Sequence, residues 1–262
     1  MSVETSFDGW RGERDESLEA ADLEAAIRAH DDDGSRVLLK SDDRSLVTAV
    51  PAARGSFVVK EVRKGGLRRR VADAFRGSPA RRAFRAGHRL AGRGIGVARP
   101  LAFLERRRLG VPFRSLLVSQ DLRAHPTADR SLASAPAVLE LLADLLIALH
   151  RDGVVHGDLR VQHVHLCRDG DTGPVLRLVD LEGVRFHASL RDADRIEDLA
   201  QLNASIADDL ATPEQRRAAF ARYARALPFD DADDAVIRSI AARSVARGHL
   251  FQGRACAATD AP

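Results

Sequence analysis

The segment Val155-His156-Gly157-Asp158-Leu159-Arg160-Val161-Gln162-His163-Val164-His165-Leu166 lies between a leucine-rich helical run and a hairpin pattern. Pro136 opens the helical run. Leu139, Leu142, Leu146 and Leu149 share one face of it, and Asp152-Gly153 ends it. After the segment, Val164–Leu166 and Val175–Val179 read as short strands around the turn Arg168–Gly173. The second strand runs into Leu178-Val179-Asp180-Leu181-Glu182-Gly183. The chain thus carries a loop acid, Asp158, a polar residue five positions on, His163, and a second acid, Asp180, at the far end of a hairpin. That layout suits phosphoryl transfer. One carboxylate orients an attacking hydroxyl, the other holds a divalent cation on phosphates, and the turn brings the two together.

Upstream, Arg36–Lys40, Ser45–Val50 and Ser56–Val62 are short β-branched runs separated by Ser-Asp-Asp-Arg and Pro-Ala-Ala-Arg-Gly turns, an antiparallel meander. Residues 66–93 read as helix, broken near Gly77-Ser78-Pro79, and Ala98–Leu104 and Phe113–Ser119 as two further strands. Leu18, Leu23, Ala26 and Ile27 recur at helical spacing behind a polar, mobile end at 1–15. Beyond the second acid, helices are expected near 192–208, 213–226 and 233–247. Thr212-Pro213-Glu214-Gln215 is a start signal for the middle one. Of 41 basic residues only Lys40, Lys60 and Lys64 are lysines. In a chain that otherwise writes arginine, a lysine inside the apolar strand Phe57-Val58-Val59-Lys60-Glu61-Val62 is there for its compact ammonium.

These parts resemble the protein-kinase-like superfamily. Val155–His163 and Asp180–Gly183 are similar to its His-x-Asp-x4-Asn and Asp-Phe-Gly motifs. Lys60 resembles the third-strand lysine that pairs with nucleotide phosphates. Leu116-Leu117-Val118-Ser119-Gln120-Asp121 resembles the last strand of the N-lobe running into a hinge. Asp198 resembles the C-lobe aspartate that bonds the catalytic-loop backbone, and His156 is a structural residue of that loop.

Within the superfamily the chain resembles the lipopolysaccharide core (Kdo/heptose) kinases. His163 stands where most kinases carry asparagine. Asp180-Leu181-Glu182-Gly183-Val184-Arg185-Phe186 is similar to that family's Asp-Leu-Asp-x-Val-Arg-Phe. Ser78–His88, Arg93-Gly94-Ile95 and Arg99-Pro100-Leu101-Ala102 resemble its basic helix and following strand. The resemblance covers about 36–225.

It implies a bilobal α+β fold with a β-rich N-lobe and a helical C-lobe. The parts are an N-terminal extension with one helix (1–35), a kinase-like N-lobe (36–118), a hinge (119–122), a helical C-lobe (123–250) and a flexible tail (251–262). It implies ATP-dependent phosphorylation of a sugar hydroxyl on a lipopolysaccharide core or similar glycolipid. Asp158 orients the hydroxyl. Asp180 carries Mg²⁺, or Mn²⁺, and Lys60 holds nucleotide phosphates, with Ser119, Gln120 and Asp121 on the nucleotide. His163 supports Asp158 or enters the metal shell. Imidazole suits softer ions than Mg²⁺, so both roles stay open. His165 alternates out of its strand to solvent.

The chain departs from that pattern in two places. The loop Ser41-Asp42-Asp43-Arg44-Ser45 has no glycine to let backbone amides approach phosphates. Between Val62 and Leu104 there is no glutamate to pair with Lys60; Arg81 stands where a kinase carries one, and Asp73 is the substitute. Both departures leave a nucleotide-binding pseudokinase as an alternative, beside a kinase acting on a protein or small molecule.

Composition narrows the field. The chain has 262 residues, 45% hydrophobic and 30% charged, the balance of a globular protein. No apolar run approaches the roughly 18–20 residues that span a bilayer, and MSVETSFDGWRGERDE lacks the apolar core of a secretory signal. Cys167 and Cys256 cannot form a disulfide framework. The expectation is a cytoplasmic protein, peripheral to the inner membrane. From Val62 to Leu104 there are 12 Lys or Arg and one acid, Asp73. Such a stretch needs anionic neighbours: phosphates, an anionic membrane surface or acids elsewhere in the fold, and the expectation is an anionic membrane or phosphosugar. With 5% aromatics and no recognition motif, a nucleic-acid partner ranks last. Oligomeric state leaves no trace in the sequence.

Overall fold

The computed structural model describes residues 2–43, 45–53, 55–63, 67–168 and 173–249, with the backbone alone for 67–71. The tail at 251–262, Lys64, Cys256, the centre of the 168–173 turn and the side chains of Arg68, Arg69 and Arg70 lie outside the described residues. The chain divides into two compact units: Met1–Ala124 with Asp180–Glu182, and His125–Val179 with Gly183–Pro262.

Among the described residues of the first unit, seven strands form one antiparallel sheet. They are β1 (Ser2–Phe7), β2 (Trp10–Asp15), β3 (Val37–Ser41), β4 (Ser45–Ala52), β5 (Gly55–Val62), β6 (Pro100–Arg108) and β7 (Val111–Gln120), in the order β1-β2-β6-β7-β5-β4-β3. Helix α1 (Ala20–Asp31) covers one face, burying Leu23, Ala26 and Ile27 with Trp10, Val50, Val59, Leu104, Leu116 and Val118. Helices α2 (Leu67–Arg76) and α3 (Pro79–Ala91) follow β5. Ser78 caps α3 by accepting from the Arg81 N–H, and Pro79 occupies its first turn. Phe84 of α3 packs on Phe103 of β6 with ring centroids 5.2 Å apart.

Side chains alternate across a strand, and this sorts β5. Val59 and Glu61 are buried toward α1, where Glu61 meets His30. Lys60 falls on the opposite face.

Residues 1–15 are not a loose end. β1 and β2 form a hairpin in register from Ser2↔Asp15 to Phe7↔Trp10, and β2 pairs with β6. The N-terminal segment therefore holds two strands of the sheet besides its helix. The cause is Trp10, which is 1% exposed in the core under α1, together with the Asp8-Gly9 turn.

The second unit is mainly helical: α4 (Ala128–Leu132), α5 (Val138–Arg151), α6 (Asp192–Ser205), α7 (Pro213–Ala226) and α8 (Asp233–Ala246). Leucines at 139, 142, 145, 146 and 149 make α5 buried on most sides. Thr212 and Gln215 form a reciprocal capping box at the start of α7. Ile196 and Ala200 of α6 pack on Val236 and Ile240 of α8. Between α5 and α6 lie β8 (Val154–Val155), β9 (Val164–Arg168), β10 (Pro174–Leu178) and β11 (Arg185–Phe186). β9 pairs with β10 and β8 with β11, both antiparallel. Among the described residues no helix is long and apolar enough to cross a membrane.

Candidate active site

In the first unit the site is built on β5. Lys60 Nζ lies 2.7 Å from Asp180 Oδ1 and also forms an ion pair with Glu182 Oε1. The Lys60 side chain is 21% exposed. Burial alone would pull its ammonium pKa down, but Asp180 and Glu182 outweigh that and hold it above the ordinary lysine value. Asp180 sits at φ +59°, the left-handed region that non-glycine residues seldom occupy. The strained backbone is that of the residue whose carboxylate faces the lysine.

Ser119 and Gln120 end β7, and Asp121 follows it. Ser119 and Gln120 pair across to Val58 and Phe57, and the Gln120 N–H donates to the Arg99 carbonyl. The Asp121 carboxylate accepts from Ser56 Oγ at 2.5 Å and from Arg123 at 2.6–3.0 Å. Burial pushes this acid up, yet the bonds from Arg123 and Ser56 bring it down to about 2. Its oxygens serve as a clasp between β5 and the end of β7. Between β3 and β4, Asp42 Oδ1 accepts the Ser45 N–H at 2.7 Å, and Lys40 lies 3.0 Å from Asp42.

In the second unit the loop after β8 carries Asp158 and is held from below by α6. The Asp198 carboxylate, 0% exposed, accepts the His156 N–H at 2.8 Å and the Gly157 N–H at 3.2 Å. Gln201 and Ser205, on the same helix, accept the N–H groups of Leu159 and Val161. Four amides of this segment are thus satisfied by one helix face, which fixes it with no regular structure of its own beyond a single 3-10 turn at Val161–His163. The His156 ring is buried and stacks on His163, centroids 6.4 Å apart.

His163 Nδ1 lies 2.9 Å from the Asp158 carbonyl oxygen. A carbonyl only accepts, so Nδ1 carries the proton, and in the neutral ring the lone pair sits on Nε2. A ring nitrogen of His163 and a carboxylate oxygen of Asp158 lie within 4.8 Å of each other. Asp158 is half exposed, and the Arg160 Nε donates to it at 3.0 Å. A polar cleft beside Asp158 is lined by Arg160, Gln162, Gln201, Ser205 and Arg247. The Val179 N–H donates to the His163 carbonyl, so the last residue before Asp180 is tied to this loop.

Three sequence expectations are corrected. Asp73 does not partner Lys60: it lies 2.8 Å from Arg82 on the neighbouring helix, and Lys60 takes both its counter-charges from 180–182. The α3 arginines are not left without acids. Arg82 pairs with Asp73 and Arg85 reaches Glu13 at 3.5 Å, because the β1–β2 hairpin brings acids that a count over 62–104 omits. His165 is half-buried rather than turned fully to solvent; its Nδ1 donates to the His125 carbonyl at 3.0 Å, and it bridges to Thr127. Glu182 is the site residue that sequence reasoning missed. Its signal was a charge two positions beyond Asp180, flanking the apolar Leu181.

Residues 40–223 match the family model described as lipopolysaccharide kinase (Kdo/WaaP) family. No curated protein matches the chain. Among solved structures, WaaP in complex with acyl carrier protein is similar, with a TM-score of 0.62 and 18% identity over 84% of this chain and 91% of that one. At that identity the likeness is one of fold.

Proposed function

Because the chain belongs to the lipopolysaccharide kinase (Kdo/WaaP) family, we propose that it transfers the γ-phosphoryl group of ATP to a sugar hydroxyl of a lipopolysaccharide core or similar glycolipid, on a bilobal kinase-like frame. The observation that carries this reading is Lys60 on Asp180 at 2.7 Å, a pair drawn from positions 120 residues apart. Catalysis of this kind is mostly positioning and charge stabilisation. Lys60 offers a fixed ammonium to nucleotide phosphates. Asp158 orients the acceptor hydroxyl and takes its proton. The cleft beside it, with two glutamines and two arginines, suits a hydroxyl-rich, anionic acceptor.

The residue types suit a divalent cation. Asp180 supplies hard oxygen, as Mg²⁺ requires, and the lone pair on His163 Nε2 adds a donor that Mn²⁺ accepts more readily. When bound, such an ion neutralises charge developing on the transferred phosphoryl group. His163 then has one of two tasks: to donate to the Asp158 carbonyl and keep the loop in shape, or to add Nε2 to the ion.

Phosphate transfer from labelled ATP to a panel of core glycolipids tests this, with Asp158→Asn as control. The expected result is transfer by the native chain and a loss of kcat by orders of magnitude in the variant, with nucleotide binding largely kept. Equal turnover by the two proteins removes Asp158 from the reaction. A nucleotide-binding pseudokinase is the second reading, favoured by the glycine-free sequence between β3 and β4 and by the Asp42 carboxylate there, which accepts the Ser45 N–H. It predicts ATP binding with no transfer to any acceptor.

A further inference from the structure

Lys60 has two carboxylates, and both come from one short turn. Leu181, between them, is 5% exposed. It packs where Gly87 of α3 leaves a notch: a Cβ at Gly87 would lie 3.1 Å from Leu181 Cδ1 and 2.7 Å from Pro100 Cγ. That close approach anchors the turn and projects Asp180 and Glu182 to the same ammonium. Other acids of this unit are engaged elsewhere. Asp73 holds Arg82, Glu61 holds Arg114, and Glu105 holds Arg107.

We propose that Glu182 is the positioning residue for Lys60, the carboxylate that holds the ammonium in place when Asp180 is engaged by a cation and nucleotide phosphates. Glu182 thereby takes the task that a helix glutamate performs where α2 or α3 supplies one. This rests on the kinase reading above and deepens it by naming the group that keeps its lysine in register. The extra methylene of glutamate over aspartate gives position 182 the reach to Lys60 past the buried Leu181. Losing a charge-assisted bond of this kind weakens nucleotide capture by about tenfold.

The test uses the small number of lysines. Lys60 is acylated with a lysine-selective reagent and followed by peptide mass spectrometry, with Lys40 as the reference in the same chain. This is done with and without Mg²⁺ and a non-hydrolysable ATP analogue, and KM and kcat are measured in parallel. In Glu182→Gln, Lys60 acylation is expected to rise several-fold relative to Lys40. KM for ATP is expected to rise about tenfold, with kcat changed less. Glu182→Asp, which keeps the charge on a shorter arm, should restore part of both effects, and melting curves confirm that each variant is folded. Unchanged Lys60 acylation together with unchanged KM in Glu182→Gln overturns the inference. If the native chain phosphorylates no acceptor while acylation still depends on Glu182, the kinase reading falls and the pairing stands.

Discussion

Gly157 and Gly183 pass so closely that a Cβ on Gly157 would lie 2.8 Å from the Gly183 carbonyl oxygen. Gly157 also sits at φ +82°. The two glycines flank the acids that matter, Asp158 one residue after the first and Glu182 one residue before the second. Gly157→Ala combines left-handed strain with a backbone clash, a cost of about 1–3 kcal/mol. Gly94, at φ +75° with nothing within 4 Å of a Cβ, provides the comparison, because Gly94→Ala carries the strain alone. The expected outcome is a larger fall in melting temperature and in kcat for Gly157→Ala than for Gly94→Ala. Equal effects would mean that the close approach carries no weight.

His163 gives a metal-dependent prediction. Its Nδ1 is committed to the Asp158 carbonyl, so any metal contact is through Nε2. If Nε2 enters the shell, Mn²⁺ should support transfer at least as well as Mg²⁺, and His163→Asn should shift preference toward Mg²⁺. The check is the ratio of kcat/KM with the two ions. A ratio unaltered by the substitution places His163 outside the shell, as a brace for the loop.

Much of this arrangement is legible in the residues. The leucine run of α5, the Thr212-Pro213 start of α7 and the alternation in β5 follow from local pattern, because each is fixed by neighbours within a few positions. The β1–β2 hairpin is also local, and the Asp8-Gly9 dipeptide between Phe7 and Trp10 was its signal, outweighed by the polarity of residues 1–15. What sequence does not carry is which charges meet. Glu13 with Arg85 and Asp73 with Arg82 depend on the order of strands in the sheet and on the packing of α2 beside α3. Lys60 with Glu182 depends on a contact 122 positions long, and a search of the local helices for an acid led to Asp73 instead. The Asp158 loop shows the same limit. His156 and Asp158 stand out as a motif, whereas Gln201 and Ser205 are ordinary residues whose value comes from lying on the same helix face as Asp198.

The buried Glu61 sets an acid-stability prediction. Burial pushes its carboxyl up, but the His30 ring 3.6 Å away and the hydrogen bond from Arg114 hold it at about 2, below the ordinary 4.5. A carboxyl depressed in the folded state contributes stability that is fully present above its unfolded pKa and is lost as pH falls through the folded value. Glu61→Gln should therefore cost on the order of 2–3 kcal/mol at pH 7. The gap from the native chain should narrow as pH falls from about 4.5 toward 2. Urea unfolding at a series of pH values measures it. A gap that stays constant over that range would show that the charge on Glu61 is not what stabilises the sheet against α1.

The arginines of α3 divide into two kinds, and the division can be tested. The Arg82 guanidinium donates to Asp73 at 2.8 Å and to the Gly77 carbonyl at 2.7 Å, linking α3 to the end of α2. Arg85 has a side chain 58% exposed and only a 3.5 Å contact with Glu13. The proposed acceptor is a glycolipid, and anionic headgroups attract each nearby cation by roughly 1 kcal/mol, an attraction that fades within a Debye length. Arg82→Gln should lower the melting temperature, by about 1 kcal/mol of stability for a half-buried bonded pair, and leave sedimentation with anionic vesicles unchanged. Arg85→Gln should leave the melting temperature in place and weaken sedimentation at low salt, where the native chain is expected to bind and from which high salt should release it. The two readouts separate because one arginine spends its charge inside the fold and the other presents it to solvent. If Arg85→Gln sediments as the native chain does, this helix is not the membrane contact, and its basic character serves the fold through Asp73 and the β1–β2 hairpin.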